Sequence, residues 1–162
     1  MEYMTEEERE FIGFFMGEGC LSIKRRHLRS SKGIRICYEP QILIGLREDD
    51  NEMLEWCKKR FGGGIYYYKA RKIDGYKGKG YKQNPTAVWT ATKVSDCKEI
   101  LSILSKGILP TKKKKEILIM QQFLKEKVKG KRRGFGGPWF TDKQLKKQAN
   151  LKKLISSSKI FS

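Results

Sequence analysis

Glu18 is the residue from which a chemical reading of this chain starts. It stands between Gly17 and Gly19 at the end of the apolar run Phe11-Ile-Gly-Phe-Phe-Met-Gly-Glu-Gly19. Upstream, Thr5 followed three residues later by Glu8 spells a capping box, with Glu6 and Glu7 also in the first turn. A helix is therefore expected from near Thr5 to about Met16. Glu18 then falls at the helix C-terminus, where the macrodipole disfavours an anion and a partner cation would cure the mismatch. Gly13 and Gly17 lie four apart on one face, so a second backbone could approach closely there. Each glycine costs about 1 kcal/mol inside a helix, so the pair needs a reason. The plainer alternative is that Gly17 and Gly19 merely end the helix.

Other chemistry is thinner. Cys20, Cys37, Cys57 and Cys97 are far apart, with no C-x-x-C spacing and with His27 the only histidine. They read as reduced, packed thiols of an intracellular protein, not as a zinc site. Thirty-six basic residues against eighteen acidic ones leave a net charge of +18 over 162 residues. Such a field points to nucleic acid, because basic side chains displace the counterions of a polyanion. No apolar run reaches membrane-spanning length and no signal peptide precedes the first helix. The expectation is a soluble, intracellular protein, cytoplasmic in a prokaryote and otherwise organellar or nuclear.

The elements that must position these groups follow from periodicity. Cys20 to Arg26 alternates as a strand, with Leu21, Ile23 and Arg25 on one side and Ser22, Lys24 and Arg26 on the other. His27 to Gly33 reads as a basic hairpin tip, and Ile34 to Leu46 as the return strand, with Pro40 implying a bulge or an edge. Along it Ile42, Ile44 and Leu46 should face the core, and Gln41 and Leu43 the partner. Asp49 or Asp50 can cap a helix over Glu52 to Phe61 that Gly62-Gly-Gly64 stops. Ile65 to Ile73 reads as a strand, Asp74 to Gln83 as a basic tip, and Thr86 to Thr92 as a fourth strand with either Val88 or Trp89 inward. Ser95 and Asp96 can cap a helix from Cys97 to about Lys106, with Ile100, Leu101, Ile103 and Leu104 as its apolar stripe. Leu109-Pro-Thr-Lys-Lys-Lys-Lys-Glu116 leads into another carrying Ile117, Leu118, Met120, Phe123 and Leu124. Residues 128–162 read as a basic extension, with a glycine-rich linker, an apolar anchor at Pro138-Trp-Phe140 and a terminal helix from Thr141 to Leu154 that turns Leu145, Ala149 and Leu151 inward.

The stretch Ile12-Gly-Phe-Phe-Met-Gly-Glu-Gly19, followed by the strand Cys20-Leu-Ser-Ile23, resembles the core motif of the LAGLIDADG homing endonucleases. The likeness lies in two spaced glycines, aromatic or aliphatic filler and a closing acid-glycine pair. It departs at Met16, where many members carry a first acid, and in having glutamate where aspartate is commoner. With one copy of the motif, the resemblance is to the single-motif, homodimeric type, and residues 1–127 read as the endonuclease core.

The resemblance implies an α+β fold in the order αββαββα, an antiparallel saddle-shaped sheet with helices on one face. The activity it implies is site-specific, metal-dependent double-strand DNA cleavage in intron homing, by a homodimer on a long pseudo-palindromic site. Glu18 and the Gly17 carbonyl would ligate Mg²⁺, or Mn²⁺ or Ca²⁺ in its place. Phe11, Ile12, Gly13, Met16 and Gly17 would form the dimer interface. A catalytic lysine falls on Lys112, with Lys114 second. A polar water-positioning residue falls on Leu46 or Arg47, and Arg47 or Glu48 must serve if Leu46 occupies that place. If the third strand alternates as in the family, Tyr67, Lys69 and Arg71 share the DNA side, while Tyr66 and Tyr68 are ordinary core or edge residues. Base edges would be read by Ser22, Lys24, Arg26, Arg35, Gln41, Tyr67, Lys69 and Arg71, and phosphates held by Arg29, Lys32, Lys77, Lys79 and Lys82. The rival readings are a catalytically decayed DNA-binding protein, an RNA-binding splicing cofactor of the host intron, and a basic ribosome-associated protein.

Overall fold

Thr5 and Glu8 close the expected capping box: the Glu8 N–H donates to Thr5 Oγ1 and the Thr5 N–H to Glu8 Oε2, both at 3.1 Å. Helix α1 (Glu6–Glu18) runs two residues beyond the expected end. Gly19 caps it, its N–H donating to the Phe15 carbonyl, and is also the first residue of strand β1 (Gly19–Ser30). The computed structural model describes residues 3–49, 51–69, 72–73, 81–82, 85–132 and 138–158, the side chains of 30, 72–73, 81–82, 131–132 and 138–139 excepted. Arg71, Lys77, Lys79 and Asp50 lie outside the described residues, as does the side chain of Lys82.

After β1 come β2 (Gly33–Arg47), α2 (Glu52–Phe61), β3 (Gly64–Tyr68), the short ribbon β4 (Lys72–Ile73) and β5 (Tyr81–Lys82), and β6 (Thr86–Ala91). Helices α3 (Val94–Ser105) and α4 (Thr111–Val128), a second ribbon of β7 (Lys131–Arg132) and β8 (Pro138–Trp139), and α5 (Asp142–Ser157) complete the chain. The main sheet is antiparallel in the order β1-β2-β6-β3. This is the α+β fold expected, with the two small ribbons added.

Two alternating sets of side chains divide the sheet. Leu21, Ile23, Tyr38, Pro40, Ile42, Ile44, Ala87, Trp89 and Ala91 are buried on one face, against Phe11 and Phe15 of α1, Leu54 and Cys57 of α2, and the stripes of α3 and α4. The other face carries no helix among the described residues. Trp89 rather than Val88 turns inward, its indole N–H donating to the Gly62 carbonyl at 2.8 Å, beside Phe61 and within a ring cluster with Phe11 and Trp56. Gly62 and Gly63 adopt φ of 78° and 82°, which glycine alone reaches cheaply. Pro40 needs no bulge. It pairs with Ile23, in the half of β2 beyond Ile42, where β6 has ended and β1 is the only strand neighbour among the described residues.

Several boundaries differ from expectation. Asn51, not Asp49, precedes α2, and Asp49 pairs with Arg47 at 3.3 Å. Helix α3 starts at Val94, ahead of Ser95 and Asp96, which bond each other rather than the helix amides. β1 continues through His27 to Ser30, so the tip of the hairpin is a turn at Ser31 and Lys32. The third strand stops at Tyr68. Helix α5 is more than an appendage. Its capping box at Thr141 and Gln144 starts a helix whose Leu151 and Ile155 enter the main core against α4 and the long β1-β2 ribbon. Buried Glu126 accepts from Lys129 at 2.8 Å and from Lys147 of α5 at 2.7 Å, pinning the two helices together.

Candidate active site and nucleic-acid face

Glu18 ends exposed at the last turn of α1, and its position is set by the residues around it. A Cβ on Gly19 would fall inside the Phe15 ring, so the closing glycine is demanded by packing, not by backbone angle, since φ of −81° suits any residue. Gly13 and Gly17 have open space around them. Together with exposed Met16 they make the outward face of α1. Phe11 and Ile12, expected on the dimer interface, are 0% and 6% exposed within the chain's own core, since helical spacing turns them to the side of Phe15. The outward stripe is therefore Gly13, Met16 and Gly17, with half-buried Phe14 beside it.

The lysine run opens α4, in its first turn, where no acid offsets the positive helix end. Lys113 is the member that reaches the motif. Its ammonium donates to the Gly19 carbonyl at 2.6 Å, lies over the Phe15 ring at 5.4 Å and faces Glu116 at 3.8 Å. Lys112, the sequence candidate, is half-buried one position earlier, while Lys114 is exposed. The spacing singles out Lys113 as the inward member: it lies four before buried Ile117 and seven before buried Met120, on the inward stripe.

At the end of β2, Leu46 pairs with buried Ala87 and packs on the core, whereas Arg47 pairs with Thr86 on the open face. The polar position is thus Arg47, which is ion-paired to Asp49.

The register lays out the open face in rungs. Leu28 pairs with Arg35, Arg26 with Cys37, Lys24 with Glu39, and Ser22 with Gln41. Arg26 reaches diagonally to Glu39 at 2.6 Å, and Ser22 Oγ donates to Gln41 Oε1 at 3.2 Å. Ser22, Lys24, Arg26, Arg35 and Gln41 therefore share the face on which they were expected. Lys32 sits in the hairpin turn, and Arg29 pairs with Ile34 on the opposite side of the ribbon. The third strand corrects the expected alternation. Tyr67 pairs with Ala87, on the helix side, while Tyr66 pairs with Val88 and Tyr68 with Thr86, on the open side. Lys69 lies just past the strand, exposed. All three tyrosines are about half exposed, at 56%, 52% and 50%, so the pairing and not the exposure separates their faces.

Cys57 and Cys97 are packed in the core, while Cys20 and Cys37 are half-buried on the sheet. Burial pushes the Cys57 and Cys97 thiols up to about 12, and raises Cys37 less. Near Cys37, burial lowers the Lys127 ammonium. Among the described residues no group of three or more His, Cys, Asp or Glu could hold a metal ion. Nor is any helix there long and apolar enough to cross a membrane.

Solved structures with this architecture include I-SmaMI bound to uncleaved DNA target in the presence of calcium ions, 20% identical, with a TM-score of 0.63 over 94% of this chain and 45% of that one. The group I intron-encoded homing endonuclease I-CeuI, complexed with DNA, is 20% identical, with a TM-score of 0.56 over 77% of this chain and 57% of that one. The homing endonuclease I-CvuI, in complex with the I-CreI target in the presence of magnesium, is 14% identical, with a TM-score of 0.63 over 94% and 83%. The chain spans about half the length of the I-SmaMI and I-CeuI chains. Comparison with curated protein sequences gives no match. At these identities the structural likeness speaks to the fold alone. The sequence profile described as LAGLIDADG endonuclease matches residues 11–124, taking in the glycine-acid helix, the four strands of the main sheet and the lysine-led helix as far as Leu124, and the chain accordingly belongs to the LAGLIDADG endonuclease family.

Proposed function

We propose that this chain is a site-specific, divalent-metal-dependent DNA endonuclease of intron homing that works as a homodimer on a long pseudo-palindromic site. The observation that carries this reading is the end of α1: an exposed carboxylate, Glu18, at a helix terminus that disfavours it, next to an uncovered glycine stripe and at the margin of an open basic sheet face.

The donor set fits a hard cation. Carbonyls of the last helical turn have no partner within the helix. The Gly17 carbonyl and the Glu18 carboxylate together offer the oxygens Mg²⁺ takes, with Mn²⁺ or Ca²⁺ as substitutes. One chain supplies one carboxylate here. A second copy of α1, docked along Gly13, Met16 and Gly17, would bring a second Glu18 to a shared twofold centre. Bound there, the ion would activate water and polarise the scissile phosphate. The protein's own part is to hold the acid in place and to supply positive charge as the phosphate gains negative charge. We assign that charge to Lys113, which reaches the carbonyl next to Glu18, with Lys112 second. Arg47, at the end of β2, would exchange Asp49 for the phosphate or its attacking water. Ser22, Lys24, Arg26, Arg35 and Gln41 would lie along the major groove, where two-stranded ribbons fit, and Arg29 and Lys32 would hold phosphates.

The test is cleavage of a library of candidate insertion sites by purified protein with Mg²⁺. Staggered cuts are expected, with Glu18→Gln still binding and no longer cutting. Cutting by that variant would remove Glu18 from the mechanism, and recovery of intron RNA without any DNA cleavage would favour a splicing cofactor.

A further inference from the structure

Two rungs of the open face carry no charge at all. Cys20, Leu43, Thr90 and Gly64 form one continuous rung across all four strands, and Gly45, Val88 and Tyr66 form the next. Cys20, Leu43, Gly45, Val88 and Thr90 are all half-buried, with no helix above them among the described residues. The belt is packed within itself: the Tyr66 ring lies back over Gly64, where an added Cβ would stand 3.2 to 3.3 Å from it, and Gly45 lies close beneath Val88. Charged positions border it on both sides, Lys24 and Arg26 with Glu39 beyond the Ser22–Gln41 pair, and Arg47 with Asp49 beyond Val88. On a chain of net charge +18, an uncovered and uncharged belt flanked by charged positions marks a recognition surface whose centre reads something apolar on a polyanion.

We propose that this belt, through Leu43, Val88 and the ring of Tyr66, recognises thymine C5-methyl groups in the major groove. The inference rests on the endonuclease reading above and adds a base preference to it. The methyl of thymine is the apolar group that a base pair presents on the major-groove floor, and side chains without hydrogen-bonding groups can select a base only through it. With the strands lying along the groove, the two rungs stand two residues apart, about 7 Å at ordinary strand rise. That is the rise of about two base pairs, so the belt meets a short run rather than a single pair. Thr90 adds a methyl of its own and a hydroxyl that serves either base edge.

The experiment is selection of duplexes from a random library by the purified chain in buffer without divalent metal, followed by deoxyuridine scanning. Selected duplexes should share a run of T·A pairs, and each thymine under the belt replaced by deoxyuridine should weaken binding about two- to fourfold, as loss of one apolar carbon predicts. Placing 5-methylcytosine in a C·G pair at such a position should recover part of the loss. Val88→Ala and Leu43→Ala should each shrink the thymine-over-uracil binding ratio at their own positions and leave it unchanged elsewhere under the belt. Specific binding that ignores the methyl groups overturns the proposal and leaves the endonuclease reading standing. Failure to enrich any duplex overturns both. A self-association that Val88→Ala breaks without altering DNA affinity would show the belt covered by a second copy, and overturns the assignment.

Discussion

Replacing Gly19 by alanine should destabilise the protein, although nothing about the backbone forbids it. With φ of −81° and ψ of 143°, alanine fits the local conformation and, by restricting the unfolded chain, would on its own stabilise by about 0.4 to 1 kcal/mol. Against that, the new Cβ falls on Cγ, Cδ2 and Cε2 of Phe15, roughly 1 Å short of ordinary carbon–carbon contact. Phe15 is 1% exposed, its ring lies under the Lys113 ammonium and 6.0 Å from that of Phe11, so it has little space to retreat. Overpacking of this kind costs about 1 to 3 kcal/mol, which leaves a net loss of up to about 2.6 kcal/mol. Gly17→Ala is the matched comparison: open space surrounds that position, and alanine in place of helical glycine should stabilise the single chain by about 1 kcal/mol. Urea unfolding followed by tryptophan fluorescence, at concentrations low enough to keep the chain monomeric, reads both. Midpoints moving in the same direction for the two variants would refute the claim that Gly19 is a packing requirement and Gly17 a surface one. In the DNA-cleavage assay, Gly19→Ala should also slow cutting, since Phe15 and Lys113 together fix the end of α1.

Ile155→Ala should lower the midpoint of a single cooperative transition by an amount equivalent to about 2 to 5 kcal/mol, because Ile155 is buried in the main core; a separate, earlier transition would show α5 to be an independent unit. Burial raises Cys57 and Cys97 from the ordinary 9.0 to about 12, so their neutral form is favoured in the fold. Their contribution to stability is complete below about pH 9 and falls away as the pH climbs toward 12. Urea midpoints measured across that range should decline, and iodoacetamide should label both thiols in the folded protein far more slowly than in urea. Rapid labelling of the native protein would contradict their burial.

Where burial obeys a simple period, the sequence showed it. The capping box at Thr5, the alternation from Leu21 to Arg26 and the stripe of Leu145, Ala149 and Leu151 reappear in the fold because each depends on neighbours a few positions away. The phase of β3 did not follow in this way. Three consecutive tyrosines have no alternation, and only pairing with β6, itself fixed by Trp89 reaching Gly62, decides that Tyr66 and Tyr68 face outward. The lysines of α4 misled for a related reason. Four identical side chains hide their phase, which has to be counted back from Met120 and Ile117 to single out Lys113. Asp49 does not cap α2: the helix starts at Glu52 behind Asn51, and the Asp49 carboxylate pairs with Arg47 at the surface.

The junction between Glu18 and Gly19 contains no spare residue: one belongs to helix, the next to strand. Helix and ribbon are therefore geared together, and inserting or deleting a single residue there would turn every side chain from Cys20 to Ser30 to the wrong side of the sheet relative to the acid. Length changes in this stretch cannot be absorbed, whereas exchange of one side chain for another can. A lineage built on this scaffold would be expected to drift toward new targets by substitution along the β1-β2 ribbon, keeping the spacing between Glu18 and the ribbon as constant as a reading frame.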